Sequence, residues 1–145
     1  MADRYLVDTN VFLRLYIEQV GFERALAFHK AHLDGLVELE TVDVVRLELG
    51  HALRKTGLTK NKMTPDEYVT AVQSIDVMDI PVHMTGPEII EQAAHLAGHR
   101  MIGFFDAVLV AWALELDLPL LTADDRLIRA AAGVGARFEP LLAPA

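Results

Sequence analysis

The chain contains no cysteine. Disulfides and thiolate metal sites are therefore excluded, and any bound ion must be held by oxygen or imidazole. Long apolar runs are missing as well. The most membrane-like window, residues 101–121, contains Asp106, Glu115, Asp117 and Pro119, and each central Asp would cost ~3 kcal/mol to insert into a bilayer. No signal-peptide pattern opens the chain, because Asp3 and Asp8 fall where a basic flank and an unbroken apolar stretch belong. A cytoplasmic location is expected. There is no Asn-Gly hairpin signal, and no lysine follows Lys62. Basic residues are the minority charge, 13 against 21 acids, for a net charge of -8. That balance argues against a phosphate-binding surface spread over the whole molecule. It leaves one exception, since acids gathered around divalent cations present positive charge to a substrate.

What the chain does have is apolar content. At 145 residues and 52% apolar composition, it is one domain's worth of sequence, long enough to bury ~70% of the surface its unfolded form exposes. The surplus over an ordinary soluble domain points to self-association or a protein partner. Short β-rich segments at 4–8, 36–42, 80–83, 118–122 and 136–141 alternate with helical patterns at 9–18, 22–34, 43–56, 65–77, 87–100, 105–116 and 124–132. The best-defined helix start is Thr64-Pro65-Asp66-Glu67, with Thr64 as cap, Pro65 at the first helical position and Glu67 reaching back. Alternating strands and helices imply an α/β fold with a mostly parallel sheet covered on both faces.

In such sheets ligands bind beyond the carboxyl ends of the strands, where strand order reverses. The opening segment YLVDTNVFL puts Asp8 at that end of the first strand, followed by Thr9 and Asn10. Taken alone, Asp8 reads equally well as a helix cap. The same grammar recurs in LPLLTADDRLIRAA, which runs strand, Thr122, acid, helix. The helix beginning there favours Asp124 as the acid facing the cleft, with Asp125 as a first-turn acid or secondary ligand. Asp106 lies in an apolar stretch, MIGFFDAVLVAWALEL, where a carboxylate needs a partner or a metal. Glu48 is flanked by Val44, Val45, Leu47, Leu49 and Ala52; its ordinary alternative is a solvent-facing pair with Arg46 or Arg54. Four carboxylates brought together repel one another, at about 3 kcal/mol per pair for ~5 Å and an effective dielectric of 20. Magnesium or manganese, which prefer oxygen ligands, would relieve that repulsion.

Together, DTN at 8–10, Glu48 with the downstream HALRK, FFDA at 104–107 and LLTADD at 120–125 make the chain resemble PIN-domain ribonucleases, especially the VapC toxins of bacterial and archaeal toxin-antitoxin pairs. The resemblance covers essentially the whole chain and implies a single PIN-like domain over 1–145, a three-layer α/β/α sandwich with a central parallel sheet, and RNA cleavage in an acidic cleft. It further implies Mg2+ or Mn2+ held by Asp8, Glu48, Asp106 and Asp124, with Asn10 and Thr122 as supporting hydrogen-bonding residues. The implied reaction is hydrolysis by a metal-activated water, leaving 5′-phosphate and 3′-hydroxyl ends. Homodimer formation and a groove for a cognate antitoxin are implied too. His51 stands where many relatives carry Asn.

Other signals are weaker. Arg54, Lys55, Lys60 and Lys62 could steer RNA or merely complement a helix C-terminus. His95 and His99 lie one helical turn apart but lack the Glu of a zinc-protease helix. Glu48 and His51 spell half a di-iron bundle motif, without a second copy. Phe12, Leu13, Tyr16, Ile17 and Trp112 read as core stripes. Two rival functions are a catalytically silent PIN-fold RNA-binding or interaction module, and a phosphoaspartyl receiver-like domain. The latter requires a nucleophilic Asp and a Lys, for which only Arg126 could substitute.

Overall fold

The apolar stretches Leu6–Val7 and Leu120–Leu121 are fully buried, as the central strands of a parallel sheet covered on both faces must be. In the computed structural model, which describes residues 2–143, the strands are β1 (Asp3–Val7), β2 (Val37–Val42), β3 (Val82–His83), β4 (Leu120–Thr122) and β5 (Phe138–Pro140). The end points of the expected 1–145 domain lie outside the described residues. All four strand pairings are parallel, in the order β3-β2-β1-β4-β5. The chain builds outward from β1 in one direction to β3, then crosses back to lay β4 and β5 on the other side. Strand order therefore reverses between β1 and β4.

Helices flank the sheet: α1 (Thr9–Leu13), α2 (Phe22–Leu33), α3 (Asp43–Leu53), α4 (Pro65–Val77), α5 (Pro87–Arg100), α6 (Phe104–Leu116) and α7 (Asp125–Ala130). The architecture is the expected α/β/α sandwich. Leu6, Val7, Val42, Leu120 and Leu121 are fully buried at the sheet centre, each contributing ~1.5–3 kcal/mol of transfer free energy. Helix α6 is apolar on nearly every side, and Ala107, Val108, Leu109, Val110, Ala111 and Ala113 are all buried. Such a helix belongs inside a fold. Among the described residues no single helix is long and apolar enough to cross a membrane, although α5 and α6 qualify as a pair bent by 119°.

The capping box at α4 forms as read: Glu67 N–H donates to Thr64 Oγ1 at 3.1 Å and Thr64 N–H donates to Glu67 Oε1 at 3.0 Å. The first helix is shorter than its apolar spacing predicts. It stops at Leu13, where the Arg14 guanidinium takes the carbonyls of Asn10 and Val20, each at 2.8 Å, and the chain turns to bury Ile17. Tyr16 then reaches Ser74 on α4 through its hydroxyl. The segment predicted as one helix over 43–56 divides into α3 and a wider π-type turn, Arg54–Leu58, that carries the start of the basic run. Phe12 and Ile17 are core residues. Trp112 is half-buried against His83, with its indole N–H donating to Thr85 Oγ1 at 3.0 Å. His95 and His99 stack on the exposed surface of α5.

Candidate active site

Asp8 is the residue immediately after β1, and Thr122 is the last of β4, so both stand at the reversal point of the sheet. The Asp8 N–H donates to the Leu121 carbonyl at 3.0 Å, which continues the β1–β4 ladder into the site. Its side chain is almost wholly enclosed, at 4% exposure. Three groups hold it. Thr9 N–H donates to Oδ1 at 2.7 Å, while the Thr122 hydroxyl and the Asn10 amide donate to Oδ2 at 2.8 and 3.2 Å. Asp8 is thus a helix cap, the second of the two readings that its sequence context allows. Asn10 ties the two halves of the sheet together, because its Nδ2 also reaches Thr122 Oγ1 at 3.2 Å and its Oδ1 accepts from Ala123 N–H at 2.9 Å.

Glu48, half-buried on α3, accepts from the Thr9 hydroxyl at 3.1 Å. The alternative pairing with Arg46 does not occur, since that guanidinium is engaged by Asp76 at 2.7 Å. Asp106 lies in the first turn of α6, after the Gly103 cap, and is half-buried. Asp124 caps α7 by accepting from Leu127 N–H at 3.1 Å, and it shares a cleft of about 310 Å³ with Asp106 and Arg126. Asp125 is exposed in the first turn of α7.

Electrostatics link these acids. Burial pushes Asp8 up to about 7, with repulsion from Asp106 and Glu48 adding to the rise while the Thr122 and Thr9 hydrogen bonds oppose it. Glu48 is raised by burial and then by Asp106, against the Thr9 hydrogen bond. Asp106 is raised by burial and by Asp124. Asp106 therefore interacts with each of the other three. Among the described residues no three His, Asp or Glu side chains stand ready-made as a metal cage. The arrangement nevertheless fits a hard divalent cation. Its donors are oxygens, and Asp8, Glu48 and Asp106 sit where burial and repulsion disfavour their charge unless a cation is present.

Two participants escape sequence reasoning. Thr9 reads there as part of a helix start, yet its hydroxyl steadies Glu48 from 39 residues away. Arg126 enters only as a stand-in for a missing lysine; in the fold it lines the cleft with two of the acids. The basic run stays on the surface, with Arg54, Lys55, Lys60 and Lys62 all exposed.

Thr122→Val tests the support given to Asp8. The substitution keeps the shape and removes a buried donor, so it should lower stability at pH 8 by about 1–3 kcal/mol, measured by urea unfolding. The loss should shrink at pH 4, where a protonated Asp8 depends less on that donor.

The PIN domain family model matches residues 5–133. A relative from Mycobacterium tuberculosis strain H37Rv, Ribonuclease VapC1, is 34% identical over 83 residues, or 57% of this chain. The match spans 60% of that relative's length. Among solved structures, VapC20 of Mycobacterium tuberculosis, described as a sarcin-ricin loop cleaving toxin, superposes with a TM-score of 0.66 at 17% identity, covering 87% of this chain and 94% of that one. VapBC2 from Rickettsia felis, bound to a DNA fragment from their promoter, gives a TM-score of 0.67 at 14% identity, covering 94% of this chain and 98% of that one. At these identities the two structures establish likeness of fold. With its sheet order, its strand-end acids and a family match that runs from β1 past α7, the chain belongs to the PIN domain family.

Proposed function

We propose that this chain is a divalent-metal-dependent endoribonuclease and the toxin of a type II toxin-antitoxin pair. Its reaction is hydrolysis of RNA phosphodiester bonds to 5′-phosphate and 3′-hydroxyl ends. The observation that carries this reading is that Asp106 lies near enough to Asp8, Glu48 and Asp124 to exchange repulsion with each, with Asp8 buried at the reversal point of the sheet. The VapC1 relative supports the activity, and the VapBC2 structure supports an antitoxin partner. The whole chain acts as one PIN-like unit, in the cytoplasm, as a homodimer in keeping with its 52% apolar composition.

Each side chain has a distinct task. Asp8, Glu48, Asp106 and Asp124 would hold Mg2+ or Mn2+. When bound, the cation supplies water activation and neutralises charge on the phosphoryl group. Thr122, Asn10 and the Thr9 backbone fix the Asp8 carboxylate so that its lone pairs are oriented before a ligand arrives. The Thr9 hydroxyl does the same for Glu48. Arg126, at the rim of the cleft shared by Asp106 and Asp124, is the cation placed to meet a substrate phosphate. Arg126→Ala should raise KM for RNA about 5- to 10-fold with a smaller change in kcat, measured by steady-state cleavage at low salt.

The experiment for the proposal is incubation of the purified protein with total RNA, with and without manganese, followed by mapping of the cut ends. Manganese-dependent cuts bearing 5′-phosphates are expected, and an intact RNA pool would refute the activity. A second reading, a catalytically silent PIN-fold RNA-binding or interaction module, draws on the capping bonds made by Asp8 and Asp124. It predicts metal-induced stabilisation without any cleavage of that pool.

A further inference from the structure

Beside Glu48 lies a second depression, separate from the cleft at Asp106 and Asp124. It has a volume of about 350 Å³ and is walled by Val44, Leu47, Ala52 and Phe105, with Thr9, Glu48 and His51 at its polar edge. Two of the apolar walls are held out to solvent: Leu47 is 77% exposed and Phe105 56%. Neither is needed by the core, since α3 buries Val45, Leu49 and Leu53 on its other face and α6 buries its own run from Ala107 onward. Phe105 is backed edge-on by Phe104, with ring centroids 6.2 Å apart. An exposed aromatic pair beside acids is unfavourable for an isolated surface and calls for an occupant.

We infer that this depression is a nucleobase slot, in which a base of a single-stranded RNA next to the scissile phosphate stacks on Phe105 and lies against Leu47. The inference rests on the ribonuclease reading and specifies how that site takes its substrate. Size favours a base over a protein segment: the volume is at the small end of the range for small-ligand sites, whereas a docked helix needs a groove several turns long. Position favours it too. Glu48 belongs to both the slot and the acidic cluster, so an occupant here is continuous with the reacting phosphate. Beyond the slot on the same helical path come Arg54 and Lys55, both exposed, which would meet the next phosphates of a strand crossing from the acids. An apolar peptide gains nothing from that succession of charges. Single-stranded RNA is commonly recognised in this way, with unstacked bases on aromatic side chains and phosphates on nearby cations.

The test uses the full-length protein and a fluorescein-labelled single-stranded RNA octamer of mixed sequence in magnesium. Phe105→Ala should raise KM about 10-fold, the loss of one base stack, while kcat stays within about twofold. Phe105→Trp should restore KM. An unchanged KM in Phe105→Ala, or a fall in kcat alone, overturns the slot. A shift of Phe105→Ala from dimer to monomer in sedimentation with KM unchanged also overturns it, and assigns the surface to a second copy. If the wild-type protein cuts total RNA but not the octamer, the ribonuclease reading stands, and if it cuts neither, that reading falls by itself. Anisotropy of the intact octamer then decides the slot: about 10-fold weaker binding by Phe105→Ala supports it, and equal binding overturns it.

Discussion

Asp8→Asn is expected to reduce RNA cleavage by at least about 100-fold, the scale of losing one preorganised charged group from an active site. Asp106→Asn should do the same, because Asp106 interacts with the other three acids. The two substitutions should differ in stability. A buried carboxyl that titrates near 7 instead of 3.8 makes the ionised fold about 4 kcal/mol costlier at alkaline pH than in the absence of that shift. Between those two pH values the folded state binds more protons than the unfolded chain. The stabilisation is therefore complete below the unfolded value, falls as pH rises, and is lost above about 7. The amide introduced by Asp8→Asn carries no charge and keeps the Thr9 N–H contact at its oxygen, though of the two donors now facing Oδ2 the Thr122 hydroxyl must turn to accept and the Asn10 amide keeps only its bond to Thr122 Oγ1. Without metal, Asp8→Asn should melt about 5 °C or more above wild type at pH 8, and the gap should close near pH 4. A variant that is more stable yet inactive separates chemistry from folding. Scanning calorimetry in chelator with parallel cleavage assays measures both, and retained activity in either variant would refute the assigned roles.

The second large effect is metal removal. Chelation should abolish cleavage, and manganese or magnesium should restore it. The same ions should raise the melting temperature at pH 8, since they bind the folded state and neutralise the carboxylates it holds together. At a free ion concentration 100 times the dissociation constant the stabilisation is about 2.7 kcal/mol. The ion should also flatten the decline in stability between pH 4 and 7, because Asp8, Glu48 and Asp106 are all raised in its absence. In Asp8→Asn the metal-induced shift should be smaller.

The acids are legible in the sequence because each breaks a local rule. Asp8 interrupts the end of an apolar strand, Asp106 opens a helix whose other residues are buried, and Asp124 repeats the strand-acid-helix grammar of the opening segment. Strand alternation with helices likewise reveals the parallel sheet. What lies beyond reach are contacts set by tertiary packing. Nothing in its local sequence links Thr9 to Glu48, and the placement of Arg126 in the cleft depends on how α7 meets α6. Apolar spacing overstates the length of α1 because Tyr16 and Ile17 continue the helical period, although they pack as a turn once Arg14 has claimed two backbone carbonyls. Phe104 and Phe105 illustrate the same limit. Their neighbours in sequence read as a buried helix, whereas both rings project from its first turn at 43% and 56% exposure.

The most direct measurement is anomalous diffraction from a crystal of the protein soaked in manganese. A peak within coordination distance of Asp8 and Asp106, with Glu48 and Asp124 reaching it directly or through water, is the predicted result. Manganese found only elsewhere on the surface, with these four carboxylates unliganded, would contradict the account.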